Sequence, residues 1–259
     1  MSGPDLRDVT GDTEASRASD RAIEELRSAV SQAPGDARAW EKLGDLAGSA
    51  ERLPEALSAL GRALALDQRN LPLAMKVALA ASCLGRLREA RDTLERIARL
   101  TPVNDGFFAL YVDVLEAERD WSALERVGES WSQMAAGQPR AWEAQAKAAW
   151  ETGWLHKAIE LYRRALALRA PDATRLATYA RLCLNALEFD EAARALEEAE
   201  RIDARNVHML SAKAGLLTFH GRFAEAETYC RRGLAEDAND VSALRNLGHE
   251  VLAVDAANG

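Results

Sequence analysis

Residues 139–172 read PRAWEAQAKAAWETGWLHKAIELYRRALALRAPD, and this stretch decides the fold. Apolar residues recur at helical spacing on both sides of Gly153, and Pro171 follows the second run. Amphipathic periodicity of this kind, interrupted by a glycine and closed by a proline, predicts two helices joined by a tight turn. The stretch is 34 residues long, and we number its places from 1 at Pro139 to 34 at Asp172.

The same pattern recurs every 34 residues without insertion or deletion from Ala22 to Val251. Place 4 is mostly large, and it holds Trp40, Ala74, Phe108, Trp142, Leu176, Leu210 and Leu244. Place 20 is mostly alanine, and it holds Ala22, Ala56, Ala90, Leu124, Ala158, Ala192 and Ala226. Place 15 is glycine at Gly85, Gly153 and Gly221. A fixed period of this length is the signature of stacked structural repeats.

This order of large, small, glycine and aromatic places resembles the tetratricopeptide repeat, a helix–turn–helix unit of 34 residues. The resemblance implies an all-α fold, a right-handed α-solenoid of stacked helix pairs. Residues 1–19 are polar and are expected to form a disordered tail. Residues 20–259 are expected to form the solenoid, with a capping helix at 20–33 and a last helix at 241–254. The full repeats are 37–70, 71–104, 105–138, 139–172, 173–206 and 207–240.

The third repeat departs most from the pattern. Arg119 stands where glycine is usual, and Leu124 and Trp131 stand at small places, whereas Gly128 occupies a large place. Bulk is redistributed within one layer, which protein cores tolerate better than added volume. The register survives, and a local kink of the superhelix is expected here.

Composition restricts the partners and the compartment. The formal charge of −8 does not suit nucleic acid. No stretch is apolar and long enough to span a bilayer, and the N-terminus lacks the apolar core of a secretory signal. We therefore expect a cytoplasmic protein with neither nucleic acid nor membrane as partner. The high content of alanine, arginine and leucine is typical of a bacterial protein.

Catalytic and metal-binding motifs are missing from the sequence. It contains no glycine-rich phosphate loop, no nucleophile elbow and no His-Glu-x-x-His spacing. His208 and His249 fall on first helices of adjacent repeats, but a metal site needs a third ligand, and none is evident. Cys183 and Cys230 fall at packing places and are interpreted as small buried hydrophobes. We expect no enzyme activity, cofactor or metal.

The resemblance implies that places 2, 5, 9 and 12 of each first helix line a concave groove. In the three N-terminal repeats these places hold one cation and four carboxylates, a formal −3: Arg38, Glu41, Asp45, Asp113 and Glu116. In the later repeats they hold four cations and one carboxylate, a formal +3: Arg140, Glu143, Lys147, Arg181 and Arg245. The groove is therefore expected to be bipolar.

A peptide-binding groove is the predicted functional site. A tryptophan beside arginines is typical of an interaction hot spot. The alternative for Trp150 is simple packing on a neighbouring helix. The predicted groove residues are Met75, Leu79, Arg140, Lys147, Trp150, Arg181, Leu184, His208, Phe219, Arg245 and His249.

Two functions from different classes fit this sequence. The first is a non-catalytic scaffold or adaptor that binds a protein or peptide partner in the concave groove. The alternative is the recognition region of a larger enzyme, for example a transferase, whose catalytic domain lies beyond residue 259. Weak self-association through the terminal helices is a further possibility. Fold alone does not name the partner.

Overall fold

The computed structural model describes the backbone of residues 7–239 and the side chains of residues 17–239. This part of the chain contains thirteen helices and no strand, so the predicted all-α class is confirmed. The helices are α1 (Arg7–Gln32), α2 (Ala37–Ser49), α3 (Leu53–Leu66), α4 (Leu71–Cys83), α5 (Leu87–Ala98), α6 (Asp105–Glu118), α7 (Trp121–Met134), α8 (Pro139–Glu151), α9 (Leu155–Ala167), α10 (Ala173–Asn185), α11 (Phe189–Ile202), α12 (Val207–Phe219) and α13 (Phe223–Glu236). Each of these helices is too short or too polar to cross a membrane.

The first helix, α1, begins at Arg7 rather than at residue 20, where the sequence placed the start of a capping helix, and the disorder expected of residues 1–19 stays a prediction. Ile23 and Val30 of α1 are buried against the residues of the first helix pair. Packing stabilises this part of the helix, and a helix that has nucleated extends at little further cost. The single Gly11 lowers helix stability by up to about 1 kcal/mol but does not end the helix.

Side chains at place 34 cap the N-termini of most first helices. The 34-residue pattern contains this signal, but the sequence-based prediction did not use it. Each of these residues accepts a hydrogen bond from a backbone N–H two or three residues later, which satisfies an otherwise unpaired donor of the first turn. The capping residues are Asp36, Asn70, Asn104, Asp172 and Asn206. The exception is Gln138, which is followed by Pro139 at the first helical position, where a missing N–H costs nothing.

Small residues at places 8 and 20 lie where the two helices of each pair meet. Ala158, Ala192 and Ala226 at place 20 are all 0% exposed. Opposite them, Ala146 and Ala180 at place 8 are 1% and 0% exposed. Side chains of this size let helix axes approach closely, so larger neighbours interlock above and below the contact.

The chain divides into two compact units, residues 1–120 and residues 121–259. Unit 1 contains helices α1 to α6, and unit 2 contains helices α7 to α13. The division falls inside the third repeat, the one that departs most from the pattern. The kink expected in that repeat stays a prediction.

Gly128 in α7 explains how unit 2 accommodates the unusual third repeat. Trp131 and Leu124 are almost completely buried in the same helix. A Cβ atom on Gly128 would lie 2.9 Å from Cγ of Gln145 and 3.1 Å from the carbonyl oxygen of Ala141, both in α8. Gln145 also donates a hydrogen bond from Nε2 to the carbonyl oxygen of Gly128, at 3.1 Å. The missing side chain therefore lets α7 and α8 pack backbone to backbone.

Replacing Gly128 with alanine should destabilise unit 2, although alanine normally favours a helix. We expect a loss of about 1–2 kcal/mol, because the steric cost of overpacking exceeds the gain in helix propensity. Gly61→Ala in α3 is the matched control, since nothing lies within 4 Å of its Cβ position. That variant should gain about 0.5–1 kcal/mol. Chemical denaturation followed by circular dichroism measures both, and an increase for Gly128→Ala would contradict the close α7–α8 contact.

Candidate functional site

Trp150 lies between two cations from neighbouring repeats of unit 2. Lys147, one turn earlier in α8, places Nζ 5.0 Å from the centre of the Trp150 ring. Arg181, from α10, places Cζ 5.2 Å from the same ring. Both distances are within the range of a cation–π interaction. We call Lys147, Trp150 and Arg181 the cation–tryptophan cluster.

A second tryptophan extends this cluster on the α7 side. Nζ of Lys147 lies 5.8 Å from the centre of the Trp121 ring and 2.8 Å from the carboxylate of Glu151. Our sequence interpretation missed Trp121, because it occupies the start of a second helix, a place that was not assigned to the groove. Its proximity to Lys147 depends on the packing of α7 against α8, which the period alone does not reveal.

Trp150 packs on neighbouring side chains and keeps part of its surface accessible, and its role in a binding groove stays a prediction. It is half-buried and contacts the hydrophobic core of the later repeats. That core includes Ala146, Leu176 and Cys183. The side chains of Lys147 and Arg181 lie close to the same indole ring. Trp150 is therefore not a freely exposed anchor.

The other predicted groove residues of unit 2 differ in exposure. Arg140 and His208 are exposed. Leu184 is only 5% exposed and belongs to the core, so its assignment to the groove surface is wrong. Phe219 is 60% exposed, but its ring lies 5.5 Å from Phe189, the first residue of α11, which puts it beside a helix–helix turn. Arg245 and His249 lie outside the described residues.

Ion pairs between repeats reduce the charge separation that the sequence predicts. In unit 1, Nζ of Lys76 in α4 lies 2.8 Å from Glu41 and 2.7 Å from Asp45, both in α2. Hydrogen bonds to these two carboxylates hold the pKa of Lys76 above its ordinary value, although burial opposes that shift. The expected −3 of the N-terminal first helices is therefore partly compensated by a cation that the groove places do not include.

The apolar groove residues of unit 1 also differ from one another. Met75 is half-buried, and its terminal methyl lies close to Gly106 at the start of α6. Leu79 is 54% exposed. Only Leu79 of this pair therefore offers a large accessible apolar side chain.

Unit 2 contains a comparable pair between α8 and α10. Nε of Arg175 donates a hydrogen bond to Oε1 of Glu143 at 2.8 Å, and Nη2 forms an ion pair with the same oxygen at 2.7 Å. Nη2 also donates to the carbonyl oxygen of Ala165, at 2.9 Å. Arg175 therefore neutralises Glu143, the carboxylate among the predicted groove places of unit 2.

The described residues offer little for metal or nucleophilic chemistry. No three His, Cys, Asp or Glu side chains between residues 17 and 239 come together as a metal site. Cys183 and Cys230 are buried, as predicted, and Cys83 is exposed. Burial raises the pKa of Cys183 to about 11, which is opposite to the shift of an activated thiol.

Comparison with known proteins decides the family. Residues 13–246 match the model of a family described as tetratricopeptide repeat. The chain belongs to the tetratricopeptide repeat (TPR) family. Comparison with curated protein sequences gave no match. The TPR fold is suited to protein–protein interaction, and proteins of this fold are typically non-catalytic.

Several solved TPR structures resemble this chain. YrrB, described as a TPR protein with an unusual peptide-binding site, has a TM-score of 0.60 at 18% identity, covering 74% of this chain and 98% of that chain. A TPR protein from Parabacteroides merdae ATCC 43184 has a TM-score of 0.64 at 13% identity, covering 94% and 96%. PilF from Pseudomonas aeruginosa has a TM-score of 0.64 at 14% identity, covering 88% and 99%. At these identities the likeness shows the fold.

The cation–tryptophan cluster of this TPR protein should be detectable as an energetic coupling. In a double-mutant cycle on unfolding free energy, Trp150→Leu and Arg181→Ala should couple by about 0.5–2 kcal/mol, because each removes one side of the same contact. Trp150→Leu combined with Arg201→Ala, on the second helix α11, should be additive within about 0.5 kcal/mol. Additivity in both cycles would mean that the Arg181 guanidinium does not stack on the indole ring in solution.

Proposed function

We propose that this TPR protein is a non-catalytic scaffold that binds an extended or helical segment of a partner protein. The cation–tryptophan cluster on α8 and α10 is the centre of the proposed binding surface. The observation that carries the proposal is the position of the Trp150 ring, 5.0 Å from Lys147 and 5.2 Å from Arg181. The surface combines an indole ring with guanidinium and ammonium groups contributed by two repeats.

The chemistry of this surface favours an acidic segment with apolar side chains. Tryptophan and arginine are enriched among residues that dominate binding energy. Arginine forms planar, two-point contacts with carboxylates, and stacking on the indole ring restricts the guanidinium before a ligand arrives. The half-buried Trp150 offers its remaining apolar area next to these charges. A ligand carboxylate would compete with Glu151 for Lys147 and contact Arg181.

Two further observations support a peptide ligand. The family to which the chain belongs is suited to protein–protein interaction. YrrB, which shares the fold, is described as having an unusual peptide-binding site.

Selection of peptides from a random displayed library, followed by fluorescence anisotropy with the selected peptides, tests this proposal. The selected peptides should be rich in aspartate or glutamate beside aromatic or aliphatic residues. Arg181→Glu should weaken their binding about tenfold or more, because like charges in an interface cost more than 1.4 kcal/mol. Raising the ionic strength should weaken binding to the wild type.

Arg201→Glu is the matched control, because it makes the same charge reversal on the exposed surface of the second helix α11. This variant should bind the selected peptides with nearly wild-type affinity. Peptides that bind Arg181→Glu as tightly as the wild type, or that carry no acidic residues, would contradict the assignment of the site.

A further inference from the structure

Three consecutive turns of unit 2 expose large apolar side chains. Trp154 in the α8–α9 turn is 69% exposed, Leu187 in the α10–α11 turn is 65% exposed, and Phe219 at the α12–α13 turn is 60% exposed. Single exposed apolar residues are ordinary on a protein surface. Three from successive repeats on the same edge form an apolar patch, which is less ordinary.

Contacts between neighbouring turns make the patch continuous. Trp154 and Leu187 line opposite sides of an open cavity of about 320 Å³. The ring of Phe189, at the start of α11, lies 5.5 Å from the ring of Phe219 in the next repeat. Phe223, at the start of α13, is 36% exposed beside it. We call Trp154, Leu187, Phe189, Phe219 and Phe223 the turn-edge patch.

The backbone at Leu187 indicates that the fold does not require this side chain. Leu187 has a φ of 61°, in the left-handed region that disfavours residues with a Cβ atom. The same place in the flanking repeats holds Gly153 and Gly221, with φ of 85° and 69°. A leucine here carries conformational strain and buries little surface in return. Glu51 and Arg119 occupy the same place of earlier repeats with φ of 58° and 59°, so Leu187 differs from them in its exposed apolar side chain rather than in its backbone.

The turn-edge patch is electrically neutral, unlike the cation–tryptophan cluster. Nζ of Lys157, which lines the cavity, lies 2.5 Å from Glu125, and Nη2 of Arg222 lies 2.7 Å from Glu225. These two cations next to the patch are therefore each paired with a carboxylate. An acidic partner would have to compete with these carboxylates for the cations.

The area of the turn-edge patch indicates what kind of partner it can bind. A large aromatic side chain buries about 150–250 Å² when covered, so the exposed fractions here add up to an apolar area on the order of 400 Å². This is the size of patch that marks an interaction site. It is about half of the 800 Å² per partner that a stable complex of two folded proteins buries. The area therefore fits a single segment better than a second copy of this chain.

We propose that the turn-edge patch is a second docking surface, which takes the apolar face of a neutral amphipathic helix from a partner protein. Apolar side chains at positions i, i+4 and i+7 of a helix span about 10 Å along its axis. This span is comparable with the 8–10 Å between packed helices, such as α10 and α12, whose turns present the patch. The two surfaces differ in chemistry, so the turn-edge patch does not depend on the proposed function of the cluster.

Titration of the full chain with synthetic helical peptides tests this assignment. The probe is a panel of uncharged amphipathic peptides of about 16 residues, which span roughly 24 Å as a helix, with leucine and phenylalanine on one face at different spacings. Peptides of the same composition with the apolar residues scattered around the helix are the reference. At least one amphipathic peptide should bind the wild type about tenfold more tightly than its scattered counterpart, because only one face fits the patch.

Leu187→Gly is the decisive variant, because glycine suits the backbone and the fold should be retained or stabilised. Leu187→Gly and Trp154→Ala should each weaken binding about fivefold or more, since each removes a central apolar contact. Leu168→Ser removes an exposed leucine elsewhere in unit 2 and should leave binding within about twofold.

Three results would overturn the assignment. One is equal binding of the amphipathic and scattered peptides, which would indicate non-specific adsorption. Another is unchanged binding by Leu187→Gly. The third is a wild-type dimer in analytical ultracentrifugation that Leu187→Gly dissociates, which would make a second copy of the chain the occupant.

Discussion

The close approach of two helices at small side chains is the constraint on which the rest of this structure depends. Ala158, Ala192 and Ala226 are fully buried against the first helix of the same pair. A longer side chain at these positions would separate the helices and disrupt the layers on both sides, because packed interiors have no spare volume. Gly128 shows the same constraint where the pattern changes, since it lets α7 reach α8 beside the buried Trp131.

This packing sets the distances between functional groups that are far apart in sequence. Trp150 and Arg181 belong to different repeats, yet the guanidinium lies 5.2 Å from the indole ring. Arg175 reaches Glu143, and Lys76 reaches Glu41, in the same way from one first helix to the preceding one. Each repeat therefore contributes side chains that contact the next repeat, and a functional surface is formed by two adjacent repeats together.

The two candidate surfaces of unit 2 differ in how they attract a partner. The cation–tryptophan cluster combines charge with an aromatic ring, so salt and acidic ligands should affect it. The turn-edge patch is apolar and the cations Lys157 and Arg222 beside it are paired with carboxylates, so buried area should dominate there. Their coexistence within one unit suits a scaffold that holds a partner at more than one point, for which linked contacts raise the overall affinity.

The sequence by itself determined the all-α repeat architecture, because a 34-residue period places the same pattern of large and small residues in every repeat. The first helices begin at Ala37, Leu71, Asp105, Pro139, Ala173 and Val207, 34 residues apart. The burial of alanine at place 20 was also predictable, since only a small residue fits a close helix contact.

Only the tertiary structure decided which surface residues are accessible and which charges are compensated. Leu184 was assigned to the groove by its place in the repeat, but it is buried because other core side chains of the later repeats pack against it. The acidic pair Glu41 and Asp45 contacts Lys76, which lies outside the groove places. A period predicts the same orientation for every repeat, whereas exposure and pairing depend on the particular side chains that adjacent repeats bring together.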